Sequence, residues 1–445
     1  MSIEAAKKIL GEAPDDIPEI YYYPVKDKYW IKNGRGQFAG HKFWHVRARL
    51  KEQRLNDLEI NQLLLAIQKD HDVDFVSEVA GWSQGVHEDG GRRILVPAEQ
   101  YRIPPKQGEW PTVRKVLLGM FGEDQSEWFL GWLQQWVKAY YDYAWMPGQV
   151  VLLVGPTVAG KSLLQTFLSY LFGDCEADPL PWMTGKSDFN GELVGVPHLK
   201  IEDKFAESTK AVKDALRENA KAIAVNKSHR IRKMYQDAFT ACPLWRATFS
   251  CNPTFESMSV APPVDEHTKN KISLLWCSRT TMPMPTNTHK EQEVFFQQLR
   301  SEAPALIYYL LKEHAVSEDM ECPEKRMGVR GYHHPKALAA AENSSFEGQR
   351  MESIREALQR WQKDNGKNKG FGAASTKDGG RLWQGTPTGL KAVLDGRGLA
   401  NDFKTAGSLG RLLANRSRLK GQGVTRHPDR TYSIEYDDEL GAQVS

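Results

Sequence analysis

Gly155, Pro156, Thr157, Val158, Ala159, Gly160, Lys161 and Ser162 give the pattern glycine, four residues, glycine, lysine, serine. Glycines at these two places let a loop curl until successive backbone N–H groups, and the positive end of a following helix, point at phosphate oxygens. Lys161 would then add a point charge for the β- and γ-phosphates, and the Ser162 hydroxyl would ligate magnesium. Downstream, Glu202 and Asp203 form an adjacent pair of acids. Such a pair could hold the metal with one carboxylate and polarise an attacking water with the other. Asn252 offers an amide that could orient that water against the γ-phosphate; the plainer alternative is an Asn-Pro turn with Pro253. ATP and Mg²⁺ are the expected substrate and cofactor.

These side chains need particular elements to position them. Val150 to Val154 is an apolar run of buried-strand length, and Leu163, Leu164, Phe167, Leu168 and Leu171 recur at helical spacing, so strand, loop and helix follow in order. Leu199 to Ile201 predicts a strand ending in the acids, and Trp245 to Cys251 another ending at Asn252. Parallel α/β sheets bind ligands at the carboxyl ends of their strands, so the three sets can meet.

Between the acids and Asn252, Ala222 to Met234 alternates and carries Lys227, His229, Arg230, Arg232 and Lys233. Two strand arms around Asn226 to Ser228 would make a basic hairpin suited to gripping DNA. A basic edge strand guarding against edge-to-edge pairing is the alternative. Near the other end, Thr386 to Leu394 and a helix capped by Ser408 and running to Leu419, then strands at Gly423 to Thr425 and Thr431 to Tyr436, predict a winged helix. Its inner face would carry Leu409, Leu412, Leu413 and Leu419, and its outer face Arg411, Asn415 and Arg418. Lys404, Arg416, Lys420, Arg426 and Arg430 lie nearby with only Asp429 opposing, a field suited to duplex phosphates.

Composition narrows the classes. The 445 residues suggest about two to four domains. The 40% hydrophobic content is that of an ordinary soluble chain, and no apolar run approaches the roughly 20 residues of a membrane span. MSIEAAKKILGEAPDD lacks an apolar signal core, so the expectation is a cytoplasmic protein without a membrane partner. The five cysteines are scattered without a CxxC pair, which indicates neither a disulfide framework nor a zinc site. A net charge of +3 leaves DNA contacts to local basic patches.

The remaining chain divides by pattern. Residues 1–118 read as a small α+β module, with short strands and an Asn33-Gly34 turn in Tyr21 to Phe38, a helix over Leu58 to Ile67, and a second strand region near Ile94 to Val96. Glu127 to Trp145 predicts a helix whose Trp128, Trp132, Trp136 and Tyr140 form a packing stripe, opening an ATPase core over 119–290. Helical spacing continues over 291–363, and the Gly- and Lys-rich 364–381 reads as a linker to the domain at 382–445.

The order phosphate loop, Glu-Asp strand, basic hairpin, Asn strand resembles the superfamily 3 helicases of viruses and plasmids. More narrowly, FNGEL at 189–193, HLKIEDK at 198–204, PLWRATFSCNP at 243–253 and RGYHHP at 330–335 are similar to the helicase module of phage and plasmid primase-helicase proteins. The resemblance implies an AAA+ type core with a parallel sheet, ATP hydrolysis, and a ring, commonly a hexamer, that translocates on single-stranded DNA. It implies roles for Gly155, Gly160, Lys161 and Ser162 as the first motif, Glu202 and Asp203 as the second, Lys227 to His229 as a DNA contact and Asn252 as a sensor. Related helicases carry a trans-acting arginine where this chain has PPVDEHTKNKISLL; Lys271 is the positional candidate, with Arg279 or Arg246 as alternatives. No primase-type acid cluster is present in the sequence, so a separate primase or initiator protein is the expected partner. Two other readings share the loop: a DNA-binding regulatory or defence NTPase that switches assembly state without unwinding, and a small-molecule kinase, which the absence of an arginine-rich lid disfavours.

Overall fold

The computed structural model describes residues 19–436 apart from 54, 208, 324–326, 344–345, 366–372, 376–380, 397–403 and 418–422. Contacts divide the chain into two units, Met1–Leu338 and Ala339–Ser445.

In the first unit, the alternating aromatic and polar residues build an antiparallel meander of β1 (Ile20–Tyr23), β2 (Lys28–Lys32) and β3 (Phe38–His41). The Asn33 side chain accepts from the backbone N–H groups of Arg35 and Gln37, at 2.9 and 3.0 Å, and so fixes the expected turn. Helices α1 (Phe43–Glu52) and α2 (Asp57–Asp70) follow, the second started by a reciprocal Asn56–Glu59 capping box. Strand β4 (Phe75–Val76) pairs with β6 (Arg92–Val96), which forms a hairpin with β5 (Gly85–Asp89).

Helix α3 spans Pro111–Tyr141, starting earlier and ending sooner than the aromatic spacing predicts. Pro111 suits a first helical turn, and Gly122, at φ 73°, breaks the helix without ending it. Trp128, Trp132, Trp136 and Tyr140 are each at most 1% exposed and pack with Leu164, Phe167, Phe172 and Phe295, so the stripe is core.

A five-stranded parallel sheet lies behind the phosphate loop. Its order is β13 (Ile272–Trp276), β7 (Val150–Val154), β12 (Arg246–Cys251), β9 (His198–Glu202) and β8 (Glu176–Ala177). Every residue of β7 and β12 is buried, as expected for parallel strands covered on both faces. The register aligns Val154 with Cys251 and Trp276, and Ser250 with Glu202, so the carboxyl ends of four strands emerge together. Helix α4 (Lys161–Leu171) is tied to this sheet by buried Gln165, whose Nε2 donates to Ile201 O (3.2 Å) and Thr248 O (3.0 Å). Short α5 (Leu180–Met183) precedes β9.

The basic segment departs from expectation. Ala222 to Val225 is the last turn of α6 (Lys210–Val225), and the hairpin is β10 (His229–Ile231) with β11 (Phe239–Ala241). Its connecting loop is therefore 232–238, not Asn226 to Ser228. The unit continues through α7 (His289–Lys312), begun by a Thr288–Glu291 capping box, into α8 (Pro335–Asn343).

The second unit contains α9 (Phe346–Asn365), β14 (Ala373–Ser375), β15 (Arg381–Gly385), α10 (Pro387–Asp395), α11 (Ala406–Arg416), β16 (Val424–Arg426) and β17 (Tyr432–Tyr436). The sheet order is β14-β15-β17-β16. Part of the expected linker is thus strand, and α9 supplies Met351, Ile354 and Leu358 to one core with Trp383, Leu390, Leu413 and Ile434. Thr405, not Ser408, receives the Ser408 backbone N–H at 3.1 Å at the start of α11. Arg416 is 2% exposed and donates to Glu342 O, so it belongs to the interior and not to a basic face. Arg411 is exposed; Arg418, Leu419 and Lys420 lie outside the described residues, as does the side chain of Asn415.

Candidate functional site

The loop between β7 and α4 is held by close approach. A Cβ at Gly155 would collide with Cys277 O, and Gly160 sits at φ 79° with Met282 Cε 2.9 Å from where its Cβ would be. Val158, at the exposed crest, also has a positive φ of 62°, a costly conformation for a β-branched residue and one that functional loops retain.

Lys161 is buried, and its ammonium donates to Gly155 O and Pro156 O, both at 2.7 Å, and to Asn252 Oδ1 at 3.0 Å. Burial holds its pKa below the ordinary lysine value, opposed by the nearby Asp203 charge. The lysine and the asparagine, which follow the adjacent strands β7 and β12, therefore meet. Asn252 is itself anchored, its backbone N–H donating to Ser257 Oγ at 2.7 Å.

Glu202 accepts from the Ser162 hydroxyl and lies 3.0 Å from the Lys200 ammonium. Partial burial raises its pKa, but these two partners outweigh that and keep the carboxyl below the ordinary range, ionised at neutral pH. Asp203 takes a left-handed backbone (φ 45°) that turns it out of the strand, where it is exposed and lines the same cavity. That cavity measures 660 Å³ and is lined by Lys161, Ser162, Asp203, Asn252, Met282 and Phe295 among others. Hydroxyl and carboxylate oxygens brought together at Ser162 and Glu202 are a donor set suited to magnesium. Among the described residues there is no group of three or more His, Cys, Asp or Glu that could hold a metal ion.

The alternatives for a trans-acting cation separate clearly. Arg279 turns back on the phosphate loop of its own chain, Nε donating to Thr157 O at 3.1 Å. Arg246 is 3% exposed and donates to Met146 O (2.8 Å), Pro147 O and Trp245 O, which makes it a structural anchor of the strand. Lys271 precedes β13, beside the amino-terminal end of β7 and so at the opposite end of the strands from the phosphate loop, and donates to His267 O at 2.6 Å. It cannot reach its own site.

Lys227, just before the hairpin, and Arg230 and Arg232 within it are exposed, and Arg232 lies 3.4 Å from Asp188. His229 is a correction: it is 6% exposed, its ring packs on Trp245 at 4.8 Å, and its pKa is pushed down to about 4 by burial. It cannot touch a ligand in this conformation. The residue presented instead is Tyr235, 95% exposed at φ 57° in the hairpin loop, beside the 59% exposed Met234. The FNGEL stretch clamps this hairpin. Buried Asn190 donates from Nδ2 to Arg230 O (3.0 Å) and accepts from Arg232 N–H (2.8 Å), and Gly191 leaves room for the Lys233 side chain.

Sequence reasoning found the motif but not its use, because Asn190 and the hairpin lie about 40 residues apart. The cavity wall at Thr280 to Met282 and Phe295 was likewise missed, since no local pattern marks it.

No family model matches the chain, and no curated protein matches it significantly. Among solved structures, an apo structure of the NrS-1 C-terminal region aligns with 97% of this chain and 98% of its own at a TM-score of 0.55 and 14% identity. The chain shares that fold. The A form of the same NrS-1 region gives 0.53 at 13% identity over the same shares. A weaker likeness, to the SCCmec type IV Cch active helicase, has a TM-score of 0.35, too low to establish a common fold. No described helix is long and apolar enough to cross a membrane.

Proposed function

We propose that this chain is a magnesium-dependent ATPase that translocates along single-stranded DNA and unwinds duplex as a ring of like subunits. The observation that carries the reading is the convergence at the carboxyl ends of β7, β12 and β9 of Lys161, the Ser162–Glu202 pair, Asp203 and Asn252. Bound magnesium would neutralise charge on the triphosphate. Ser162 and Glu202 would hold it, while Asp203, unpaired with Ser162 and open to the cavity, would polarise the attacking water. Lys161, now bridging two carbonyls and Asn252, would exchange those partners for phosphate oxygens, and Asn252 would orient the water. Arg279 supports the loop in the same subunit. With Arg279 and Arg246 accounted for, Lys271 stands as the residue offered to a neighbour's ATP, as a point charge without the bidentate fork of arginine.

The exposed Tyr235 with Lys227, Arg230 and Arg232 supports DNA as the translocated polymer. An aromatic ring can stack on any base while the cations follow phosphates. In the second unit, the order α9, β15, α10, α11, β16, β17, with β17 between β15 and β16, supports a winged helix. Its α11 would present Arg411, and its β16–β17 turn Arg426 and Arg430, to duplex phosphates. The resemblance to primase-helicase proteins supports a hexameric ring in replication of a phage, plasmid or satellite element, beside a separate primase or initiator protein in the host cytoplasm. Steady-state ATP hydrolysis with and without single-stranded DNA tests the proposal; hydrolysis stimulated by DNA is expected, and indifference to DNA would count against translocation.

A further inference from the structure

A second cavity, 440 Å³, lies where the N-terminal module meets the hairpin. Lys26 and Lys28 from the β1–β2 region and Lys233 from the hairpin line it, together with the Trp30 indole. Among the described residues none of these lysines forms an ion pair. Glu78 and Glu192 also line the cavity, but both are exposed and lie beyond ion-pair distance of the three ammonium groups. Lys233 is half-buried, its ammonium donating to Ser77 Oγ at 2.8 Å, with Lys26 close enough to repel it and Glu78 close enough to attract it without forming an ion pair. Three ammonium groups thus share one wall, and among the described residues no carboxylate pairs with them directly, so an anion entering the cavity would lower their mutual repulsion. The cavity is within the roughly 300–1,000 Å³ of small-ligand sites. It is also continuous with the hairpin, since Lys233 and Gln236 on its wall flank the exposed Tyr235 in sequence.

We infer that this groove binds one or two nucleotides of a single DNA strand, with phosphates against Lys26, Lys28 and Lys233 and a base on Trp30. The inference rests on the DNA-translocase reading and gives the N-terminal module a role: it extends the path of the strand beyond the hairpin loop. An aromatic wall beside converging lysines is the arrangement by which single-strand binders combine stacking with backbone contact.

The test uses the full chain and fluorescein-labelled oligothymidylate, followed by anisotropy as salt is varied. Each phosphate contact on a single strand contributes about 0.7 to the log-log salt slope, so Lys26→Ala/Lys28→Ala should lower the slope by about 1.4 and weaken binding roughly tenfold at physiological salt. Trp30→Leu should weaken binding with the slope unchanged, and Trp30→Phe should restore much of it. ATP hydrolysis without DNA should not change in any of these. Should Trp30→Leu fail to fold, the double lysine variant, at solvent-accessible positions, carries the test. Unchanged affinity and slope in that variant, while Tyr235→Ala still loses binding, would overturn the groove and leave the translocase reading intact. Wild-type protein that does not bind oligothymidylate would sink both. Competition by polyglutamate as strong as by DNA would mark a general anion surface and also overturn the inference.

Discussion

Asn190→Ala should uncouple the hairpin from the ATPase site. The Asn190 amide receives the Arg232 backbone N–H at 2.8 Å and donates to Arg230 O at 3.0 Å, both in partly buried surroundings. Truncation leaves one donor and one acceptor without partners, at about 1–3 kcal/mol each when buried. Because both sites are partly open to water the lower end applies, about 2 kcal/mol together. The backbone bonds from Asn190 and Gly191 N–H to Arg232 O, at 3.2 and 3.1 Å, remain, so the hairpin loosens and does not detach. A 2 kcal/mol loss raises the open population by a factor of roughly 30. Native-state hydrogen exchange should report it as faster exchange of the Arg232 and β10–β11 amides, with β7 and β12 unaffected. DNA-stimulated hydrolysis should fall, while basal hydrolysis stays near wild type, because Asn190 touches no residue of the 155–162 loop. Unchanged exchange at Arg232 would refute the clamp, and loss of basal hydrolysis would show that Asn190 serves the nucleotide site instead.

Lys161→Ala should reduce ATP turnover by at least about 10²-fold, the scale for removing one charge-stabilising donor from a preorganised site; wild-type turnover would remove the assignment. Burial pushes His229 down to about 4 and His198 to about 3. Between those values and about 6.5 the unfolded chain binds protons that the folded chain excludes. Stability present above about pH 6.5 is therefore lost on acidification, by about 2 kcal/mol per histidine at pH 5. Thermal melts should show Tm falling from neutral pH to about pH 5, less steeply in His229→Asn; a flat profile contradicts the buried neutral state. Arg411→Ala should lower the salt slope of duplex binding by about one without changing DNA-independent hydrolysis. A slope equal to wild type would make that face solvated surface only.

The phosphate loop was legible because it is local: glycines, lysine, serine and the flanking apolar runs lie within about two dozen residues. The Glu-Asp and Asn strands were legible as strands. Their meeting at Lys161 depends on β12 lying between β7 and β9, a non-local order that no short window carries. The hairpin turn, expected at Asn226 to Ser228, lies instead at 232–238, because Ala222 to Val225 alternates like a strand. Leu216, Ala220, Ile223 and Ala224 nevertheless recur at helical spacing and bury one face of α6, and packing on that face decides. Arg246 and Arg416 looked available as cations. Their carbonyl partners, Met146 and Glu342, lie about 100 and 74 residues away, out of reach of any local reading. Residues 364–381 have the composition of a linker, yet Ala373–Ser375 pairs with β15, an edge pairing that needs little apolar content of its own.

Strand separation on a forked duplex with a single-stranded tail tests the central claim most directly, run with ATP, without ATP, and with Lys161→Ala and Tyr235→Ala. A translocating helicase should release the displaced strand only with ATP. Lys161→Ala should fail for want of hydrolysis, and Tyr235→Ala should fail while still hydrolysing ATP. DNA binding and steady hydrolysis with no strand released by the wild-type protein would contradict it, and would identify a nucleotide-driven switch in place of a motor.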